Sequence, residues 1–224
     1  MGVRVIAIDG PAGSGKSTLA QAVADRLGLE CLDTGAMYRA VAFAVLRAGG
    51  DPSDDDFAAA VARTIDVNVD AGQVLVDGVD ATVEIRGPSV DRAVSLVAAN
   101  PEVRAELVVR QREWVRRRGG GVVEGRDIGT VVFPDAEVKV HLVADPAVRA
   151  QRRVDQSGTP PPEGAGGGRT YDEAVESVAE DIARRDRIDS TRQASPLLKA
   201  PGAVVIDTTE LTFDETVEQV MRLV

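Results

Sequence analysis

The 224-residue chain has almost no cysteine or histidine and no long apolar run. Cys31 is its only cysteine, which excludes a disulfide framework and a cysteine-based metal site. His141 is its only histidine and lies in a strand-like apolar run, so we expect it to be structural. No apolar run approaches the roughly 18 residues that span a membrane, and residues 1–4 leave no room for a signal peptide. These absences predict a cytoplasmic protein with no membrane partner.

The chain is also poor in aromatic side chains and in lysine. Phe, Trp and Tyr make up 3% of a sequence that is 44% hydrophobic, so its core must consist mainly of Val, Ala, Leu and Ile. The net charge of −10 argues against a nucleic-acid polymer as partner, because such a partner needs a basic face. Arginine supplies nearly all of the 26 basic residues, and its planar fork suits phosphate and carboxylate. The sequence has no spare apolar stripe, and we therefore expect a monomer.

A glycine-rich segment follows the first apolar run of the chain. It lies between the strand-like run Val3–Ile8 and the helix-like run Ser17–Leu27, and it fits the phosphate-loop pattern G-x-x-x-x-G-K-[ST]. Backbone N–H groups of such a loop bind phosphate oxygens, together with the N-terminus of the helix. The predicted ATP-binding residues are Gly10, Pro11, Ala12, Gly13, Ser14, Gly15, Lys16, Ser17 and Thr18. Lys16 would reach the outer phosphates, and the Ser17 hydroxyl would ligate Mg²⁺.

Strand-like and helix-like runs alternate along most of the chain. The predicted core strands are Val3–Ile8, Leu29–Leu32, Gly121–Glu124, Glu137–Ala144 and Ala203–Ile206. The predicted helices are Ser17–Leu27, Ala36–Ala48, Phe57–Thr64, Val90–Ala99, Pro101–Arg118, Pro146–Val154, Tyr171–Arg187 and Phe213–Leu223, with a turn at Asp33–Gly35. This alternation predicts an α/β fold of the P-loop NTPase type, a doubly wound parallel sheet with right-handed crossovers.

Two segments interrupt the alternation. Short β-like runs predict a small antiparallel insert over residues 65–83. These runs are Ile65–Val69, Gln73–Asp77 and Val79–Val83. The Pro- and Gly-rich run Ser157–Gly168 is unsuited to regular structure and predicts a flexible lid over about residues 153–170. We expect the chain to form one domain, residues 1–224, that contains both segments.

A phosphate loop by itself leaves a kinase, a GTPase switch, an ATPase motor and a passive nucleotide sensor open. The guanine-reading signature N-K-x-D is absent, because the only asparagines, Asn68 and Asn100, are followed by Val and Pro. A motor would usually be a longer chain. A small-molecule kinase and a non-catalytic nucleotide-binding protein are therefore the remaining alternatives.

Arginines stand near the predicted strand ends, where an open α/β sheet binds its ligands. Arg39 follows the second strand, and the pair Arg126 and Asp127 follows the third. Further arginines flank the Pro- and Gly-rich run: Arg149, Arg152 and Arg153 before it, and the Arg184–Arg192 cluster after it. Each set alone could be a solvated helix face or an ion-pair ladder. Their joint placement around one phosphate loop favours a small-molecule kinase.

Several longer motifs resemble the bacterial-type cytidylate kinase family, from about residue 3 to the C-terminus. They are Ile8–Ser17, Leu32–Arg39, Glu84–Arg86, Gly125–Ala136, and Arg185-Asp186 with Asp189 and Arg192. The blocks LDTGAMYR and GRDIGTVVFPDA are the most specific of these. The resemblance implies phosphoryl transfer from ATP to CMP or dCMP with Mg²⁺. It also implies that residues 36–105, with the insert, form the CMP-binding region.

The resemblance further implies roles for individual residues. Ser95, Arg104 and Asp127 would read the cytosine. The other implied CMP-binding residues are Arg39, Arg126 and Arg192 for the phosphate, Arg185 and Asp189 for the ribose, and Thr34 in the second motif. The run Pro160–Gly168 departs from the family pattern and leaves the hinge of the lid undetermined.

The chemistry of these residue types agrees with that implication. A carboxylate or hydroxyl can accept from the cytosine amine, and an arginine can donate to its N3 and O2. No protein base is needed, because a phosphate monoester has a second pKa of about 6 and is already largely dianionic. Catalysis then rests on position and charge, with Lys16, Arg149 and Arg153 as the predicted catalytic residues. Glu124 is predicted either to hold Mg²⁺ through water or to be structural. UMP, AMP and shikimate stay open as alternative acceptors.

Overall fold

The computed structural model describes residues 4–70, 72–156 and 170–224. Its strands are β1 (Arg4–Asp9), β2 (Cys31–Asp33), β3 (Val67–Asp70), β4 (Gln73–Val76), β5 (Val79–Asp80), β6 (Gly120–Gly125), β7 (Val138–Val143) and β8 (Val204–Asp207). Its helices are α1 (Lys16–Leu27), α2 (Thr34–Arg47), α3 (Asp55–Thr64), α4 (Pro88–Ala99), α5 (Pro101–Arg118), α6 (Pro146–Gln156), α7 (Tyr171–Thr191) and α8 (Phe213–Met221). Short turns of 3₁₀ and π helix cover Glu84–Arg86 and Ile128–Val132.

Among the described residues, five parallel strands form the central sheet, in the order β2-β6-β1-β7-β8. This arrangement confirms the predicted doubly wound α/β fold. Side chains of β1, the central strand, alternate between the core clusters on the two faces. Val5 and Ala7 join the cluster that contains α2, α4 and α5, whereas Ile6 and Ile8 join the one that contains α1 and α8. Because both faces are covered, β1 is apolar at consecutive positions rather than at alternate ones.

A small antiparallel sheet, β3-β4-β5, follows α3, as the sequence predicts. The buried valines that join it to the larger core cluster are Val69, Val74 and Val76. Its third strand is shorter than predicted, since Val79–Asp80 rather than Val79–Val83 forms β5. The Asp80 carboxylate accepts from the Thr82 backbone N–H at 2.9 Å and from its hydroxyl at 2.6 Å. This local turn diverts the chain from the sheet.

The turn predicted at Asp33–Gly35 is wrong, because β2 runs directly into α2. The Asp33 carboxylate accepts from the Ala36 backbone N–H at 2.9 Å and caps the helix. Thr34 and Gly35 therefore belong to its first turn, and Arg39 follows on the second turn, close to the carboxyl edge of the sheet.

The last long helix, α7, also differs from the prediction, since it extends to Thr191 rather than ending at Arg187. A capping box between Thr170 and Glu173 fixes its start. The extension places Asp189 on the helix itself, where its side chain is buried.

The Pro- and Gly-rich run Ser157–Gly168 lies outside the described residues, and with it most of the predicted lid at 153–170. The lid therefore stays a prediction. In the described part of the chain, no helix is both long enough and apolar enough to cross a membrane.

Asp9, at the carboxyl end of β1, ties the start of the phosphate loop to the segment after β6. Its buried carboxylate accepts from the backbone N–H groups of Ile128 and Gly129, both at 2.8 Å. Burial raises the pKa of Asp9 to about 6, although the same two N–H groups lower it. These bonds hold the π-helical turn, and the residues just before it, beside the loop.

Replacing Asp9 by Asn should lower the free energy of unfolding by about 1–3 kcal/mol, because the amide offers one acceptor oxygen and sets its NH₂ against a buried N–H. The matched control is Asp70→Asn, at an exposed aspartate of β3, which should stay near the wild-type stability. Urea unfolding followed by circular dichroism measures both variants. Equal stability of the two variants would contradict this role of Asp9.

Candidate active site

The phosphate loop packs tightly against the end of β7 and the helix α6. Gly13 has a φ of +74°, and a Cβ there would lie 2.9 Å from the Arg149 carbonyl oxygen. At Gly10 a Cβ would lie 2.6 Å from the Leu142 carbonyl oxygen. Glycine is therefore required by close backbone approach as well as by backbone conformation. Ser17 and Thr18, on the first turn of α1, are exposed to solvent.

Lys16 is buried at the end of the loop. Its Nζ donates to the Pro11 carbonyl oxygen at 2.7 Å and to the Ser14 hydroxyl at 3.4 Å. Burial lowers the pKa of Lys16 to about 7, and the nearby Arg126 guanidinium lowers it further. A phosphate that accepted from Lys16 would stabilise its charged form.

Ser17 and Glu124 bring a hydroxyl and a carboxylate together beside the loop. The Ser17 Oγ donates to the Glu124 Oε1 at 2.6 Å. Burial and then the Asp33 carboxylate raise the pKa of Glu124 to about 8. Oxygen donors of this kind fit Mg²⁺. The residues that the structure describes contain no group of three or more metal-ligating side chains, so most of the ion's ligands would be phosphate oxygens and water.

A buried ion pair lies on the other side of this strand end. The Arg104 Nη2 is 2.5 Å from the Asp127 Oδ2, and the Arg192 Nη2 is 3.6 Å from the Asp127 Oδ1. Arg104 also donates to the Ala98 carbonyl oxygen of α4, the helix that carries the buried Ser95. Within the described ranges, the buried Arg104 Nε and Arg192 Nη2 have no hydrogen-bond partner. Such orphan donors fit a ligand that presents acceptors.

Tyr38 and Thr34 border this pocket from α2. The guanidinium of Arg104 lies 5.2 Å from the centre of the Tyr38 ring, an arrangement that stabilises a buried cation. The Thr34 hydroxyl donates to the Glu124 carbonyl oxygen at 2.7 Å and so fixes α2 against β6. Sequence reasoning missed Tyr38, although it stands in the LDTGAMYR block.

Asp189, on α7, holds two further predicted arginines. The Arg126 Nε donates to its Oδ2 at 2.8 Å, and the Arg192 Nη1 lies 3.5 Å from its Oδ1. Burial alone would raise the pKa of Asp189, but Arg126 and Arg192 outweigh it and hold the pKa below its ordinary value.

Asp186 links the phosphate loop to both helices that flank the predicted lid. It accepts from the Ala12 backbone N–H at 3.1 Å and pairs with the Arg149 guanidinium. Arg149 also donates to the Ala12 carbonyl oxygen at 3.0 Å, so it lies against the loop. Arg152 points elsewhere, since it donates to the Thr208 carbonyl oxygen at 2.7 Å. Arg149 therefore lies beside the phosphate loop, whereas Arg152 lies against the residues after β8.

The remaining predicted arginines, Arg39, Arg153 and Arg185, converge on Asp91 of α4. The sequence offered no signal for this aspartate, which stands in the first turn of a helix like many capping acids. Asp9 and Asp186 were visible only as members of larger motifs. The structure therefore joins the predicted arginines through four aspartates, of which Asp127 and Asp189 were predicted and Asp91 and Asp186 were given no role.

Replacing Arg104 by Met should lower the free energy of unfolding by about 3 kcal/mol, because it leaves the buried Asp127 carboxylate with the more distant Arg192 alone. Arg187→Met, at an exposed arginine of α7, is the control and should change stability little. The double variant Arg104→Met/Asp127→Leu should lose less than Arg104→Met, because no buried charge is left unpaired. Urea unfolding measures all three. A double variant that is less stable than Arg104→Met would contradict the expected coupling.

Comparison with known proteins identifies the family of the chain. The family model for cytidylate kinase matches residues 6–224. A cytidylate kinase from Mycobacterium avium is 47% identical over 224 residues, covering 98% of this chain and 94% of that protein. The cytidylate kinase from Geobacillus kaustophilus is also 47% identical, covering 98% and 95% of the two chains.

Solved structures bear on the fold alone. The crystal structure of an uncharacterized protein from Eubacterium ventriosum superposes with a TM-score of 0.53 and covers 98% of this chain and 97% of that one. Its sequence identity is 10%, so it supports the α/β fold only. Because the family model matches nearly the whole chain and the relatives are 47% identical over almost their full length, the chain belongs to the cytidylate kinase family.

Proposed function

We propose that the chain transfers the γ-phosphoryl group of ATP to CMP or dCMP, giving ADP and CDP or dCDP. The observation that carries this proposal is the buried Arg104–Asp127 pair at the strand end next to the phosphate loop. Family membership and the names of the curated relatives support the same reaction.

The pair is complementary to one edge of cytosine. Asp127 accepts from the amine, Arg104 donates to N3 and O2, and the hydroxyl of Ser95 supplies a further polar contact. Uracil would set a carbonyl oxygen against the Asp127 carboxylate, a mismatch that costs about 1–3 kcal/mol or more. The pocket therefore selects cytosine over uracil by the match of hydrogen-bond donors and acceptors rather than by size.

The arginines beside the base pocket bind the rest of the nucleotide. Arg39, Arg126 and Arg192 neutralise the CMP phosphate, while Arg185 and Asp189 contact the ribose. The Thr34 hydroxyl bonds to the backbone of β6 and so fixes α2, the helix that carries Arg39, against that strand. Because these side chains come from different elements, the acceptor is held only when the elements are packed together.

The reaction needs no protein base, because the attacking phosphate is already largely dianionic above its second pKa of about 6. The chain's work is to bring two anions together and to stabilise charge on the transferring group. Lys16, Arg149 and Arg153 supply positive charge there, and the loop N–H groups hold the donor phosphates. Mg²⁺, held by Ser17 and through water by Glu124, would screen the charge between donor and acceptor phosphates.

We propose that residues 1–224 act as one kinase domain, in which residues 36–105 bind the acceptor and residues 153–170 form the lid. Closure of such a lid would exclude water and protect ATP from hydrolysis. We propose a cytoplasmic monomer with ATP and CMP or dCMP as its partners, and with no nucleic-acid polymer or membrane among them.

The reaction is tested by measuring ADP formation from ATP and Mg²⁺ with CMP, dCMP, UMP, AMP, GMP and shikimate offered one at a time. Turnover with CMP and dCMP alone is the expected result, because the base pocket accepts an amine where uracil has a carbonyl. Turnover with another acceptor would keep a kinase and overturn the pocket assignment. ATP binding without acceptor-dependent turnover would indicate a passive nucleotide-binding protein.

Asp127→Ala should raise the KM for CMP by about 100-fold while ATP binding changes little, because a charge-assisted contact to the base is lost. Asp127→Asn keeps the volume of the side chain and separates loss of charge from loss of packing. The matched control is Asp214→Ala, at an exposed aspartate of α8, outside residues 36–105. Steady-state kinetics and calorimetry with ATP measure the effect. Equal loss of CMP use and ATP binding would overturn the assigned role.

A further inference from the structure

Asp91, on α4, gathers three arginines that come from three other helices. The Arg39 Nη2 of α2 lies 2.6 Å from its Oδ1, and the Arg153 Nη2 of α6 lies 3.2 Å from its Oδ2. The Arg185 Nη1 of α7 lies 3.4 Å from the Oδ1. A single carboxylate therefore joins four helices at the cleft.

These ion pairs set three guanidinium groups against one carboxylate. Burial alone would raise the pKa of Asp91, but Arg39, and then Arg153 and Arg185, hold it below its ordinary value. Burial and the neighbouring Arg39 guanidinium lower the pKa of Arg185 to about 10. The arginines repel one another and lack sufficient counter-charge, so a further anion would be attracted to the same place.

We propose that Asp91 competes with the acceptor nucleotide for Arg39 and Arg185 and with the transferring phosphoryl group for Arg153, and that it thereby sets the KM for CMP. The inference rests on the proposed function, which assigns Arg39 and Arg185 to the acceptor and Arg153 to the transferring group. Asp91 is a positioning residue in this scheme. It holds the arginines near their working positions until a phosphate takes over the contacts.

The exposure of the side chains favours displacement over a permanent bond. Asp91 is 30% exposed and can turn toward water, whereas Arg39 and Arg185 are 11% and 15% exposed. A phosphate offers three oxygens and up to two negative charges to the same donors, where the carboxylate offers two oxygens and one. The arginines therefore exchange a weaker anion for a stronger one.

Asp91→Asn keeps the size of the side chain and removes its charge. We expect the KM for CMP to fall about fivefold, because the phosphate no longer competes with a partly exposed ion pair. The kcat and the KM for ATP should stay within about twofold of the wild type, a split that general loss of structure would not produce. Asp91→Glu, which keeps the charge, should stay near the wild-type KM.

The matched control is Asp214→Asn. Asp214 is an exposed acid in the first turn of α8, so this variant also loses a favourable first-turn charge, but outside the acceptor-binding region. Its KM for CMP should not change.

Calorimetric titration with inorganic phosphate separates failure of this inference from failure of the proposed function. If the wild type does not phosphorylate CMP, the proposed function fails, and tighter phosphate binding by Asp91→Asn would still support competition. If the wild type does phosphorylate CMP, an unchanged or raised KM in Asp91→Asn overturns the inference alone. Should Asp91→Asn fail to fold, Asp91→Ser in the presence of phosphate gives the same comparison. Phosphate binding no tighter than wild type would then overturn the inference.

Discussion

The structure depends on the neutralisation of arginine charge in a cluster of buried and half-buried side chains. Seven arginines from α2, α5, α6, α7 and the loops after β6 and α7 pair with four aspartates there. Guanidinium groups so close together repel one another, and burial weakens the screening that water would provide. Each aspartate therefore compensates positive charge and also joins different elements of the fold. Asp186 links the phosphate loop to α6 and α7, and Asp189 links α7 to the segment after β6.

The balance is incomplete, because three positive charges are in excess among those pairs. Anionic substrates would complete it, so substrate binding and stability are coupled through the same side chains. The buried Lys16, with its lowered pKa, is part of this arrangement on the donor side. The unpaired positive charge lowers the stability of the free protein, and phosphate binding offsets this loss. Electrostatic attraction to phosphate groups therefore contributes more to binding at this site than shape complementarity does.

The sequence allowed the main architecture to be predicted, because local and global signals agree there. The apolar run of β1, the glycines of the loop and the turns of the insert each have a local physical cause. Some errors arose at element boundaries that local side-chain contacts decide, and others where the partners are distant in sequence. Asp33 was predicted in a turn, but its carboxylate accepts from the Ala36 backbone N–H and caps α2 directly. Asp91 was missed because its partners lie 52 to 94 positions away, and no periodicity records such a meeting. Motif resemblance located the arginines and two of the acids that pair with them, Asp127 and Asp189, but gave no role to Asp91 or Asp186.

Asp9 shows how this construction limits divergence within such a fold. One carboxylate ends the central strand, opens the phosphate loop and fixes the backbone that follows Asp127. The positions of the donor and acceptor sites therefore both depend on the hydrogen bonds of Asp9. A lineage that acquired a new acceptor could not move the base-reading segment without disturbing the phosphate loop as well. A change of specificity would therefore require side-chain substitutions that leave the backbone in place. Such substitutions would favour acceptors whose base differs from cytosine by a few polar atoms.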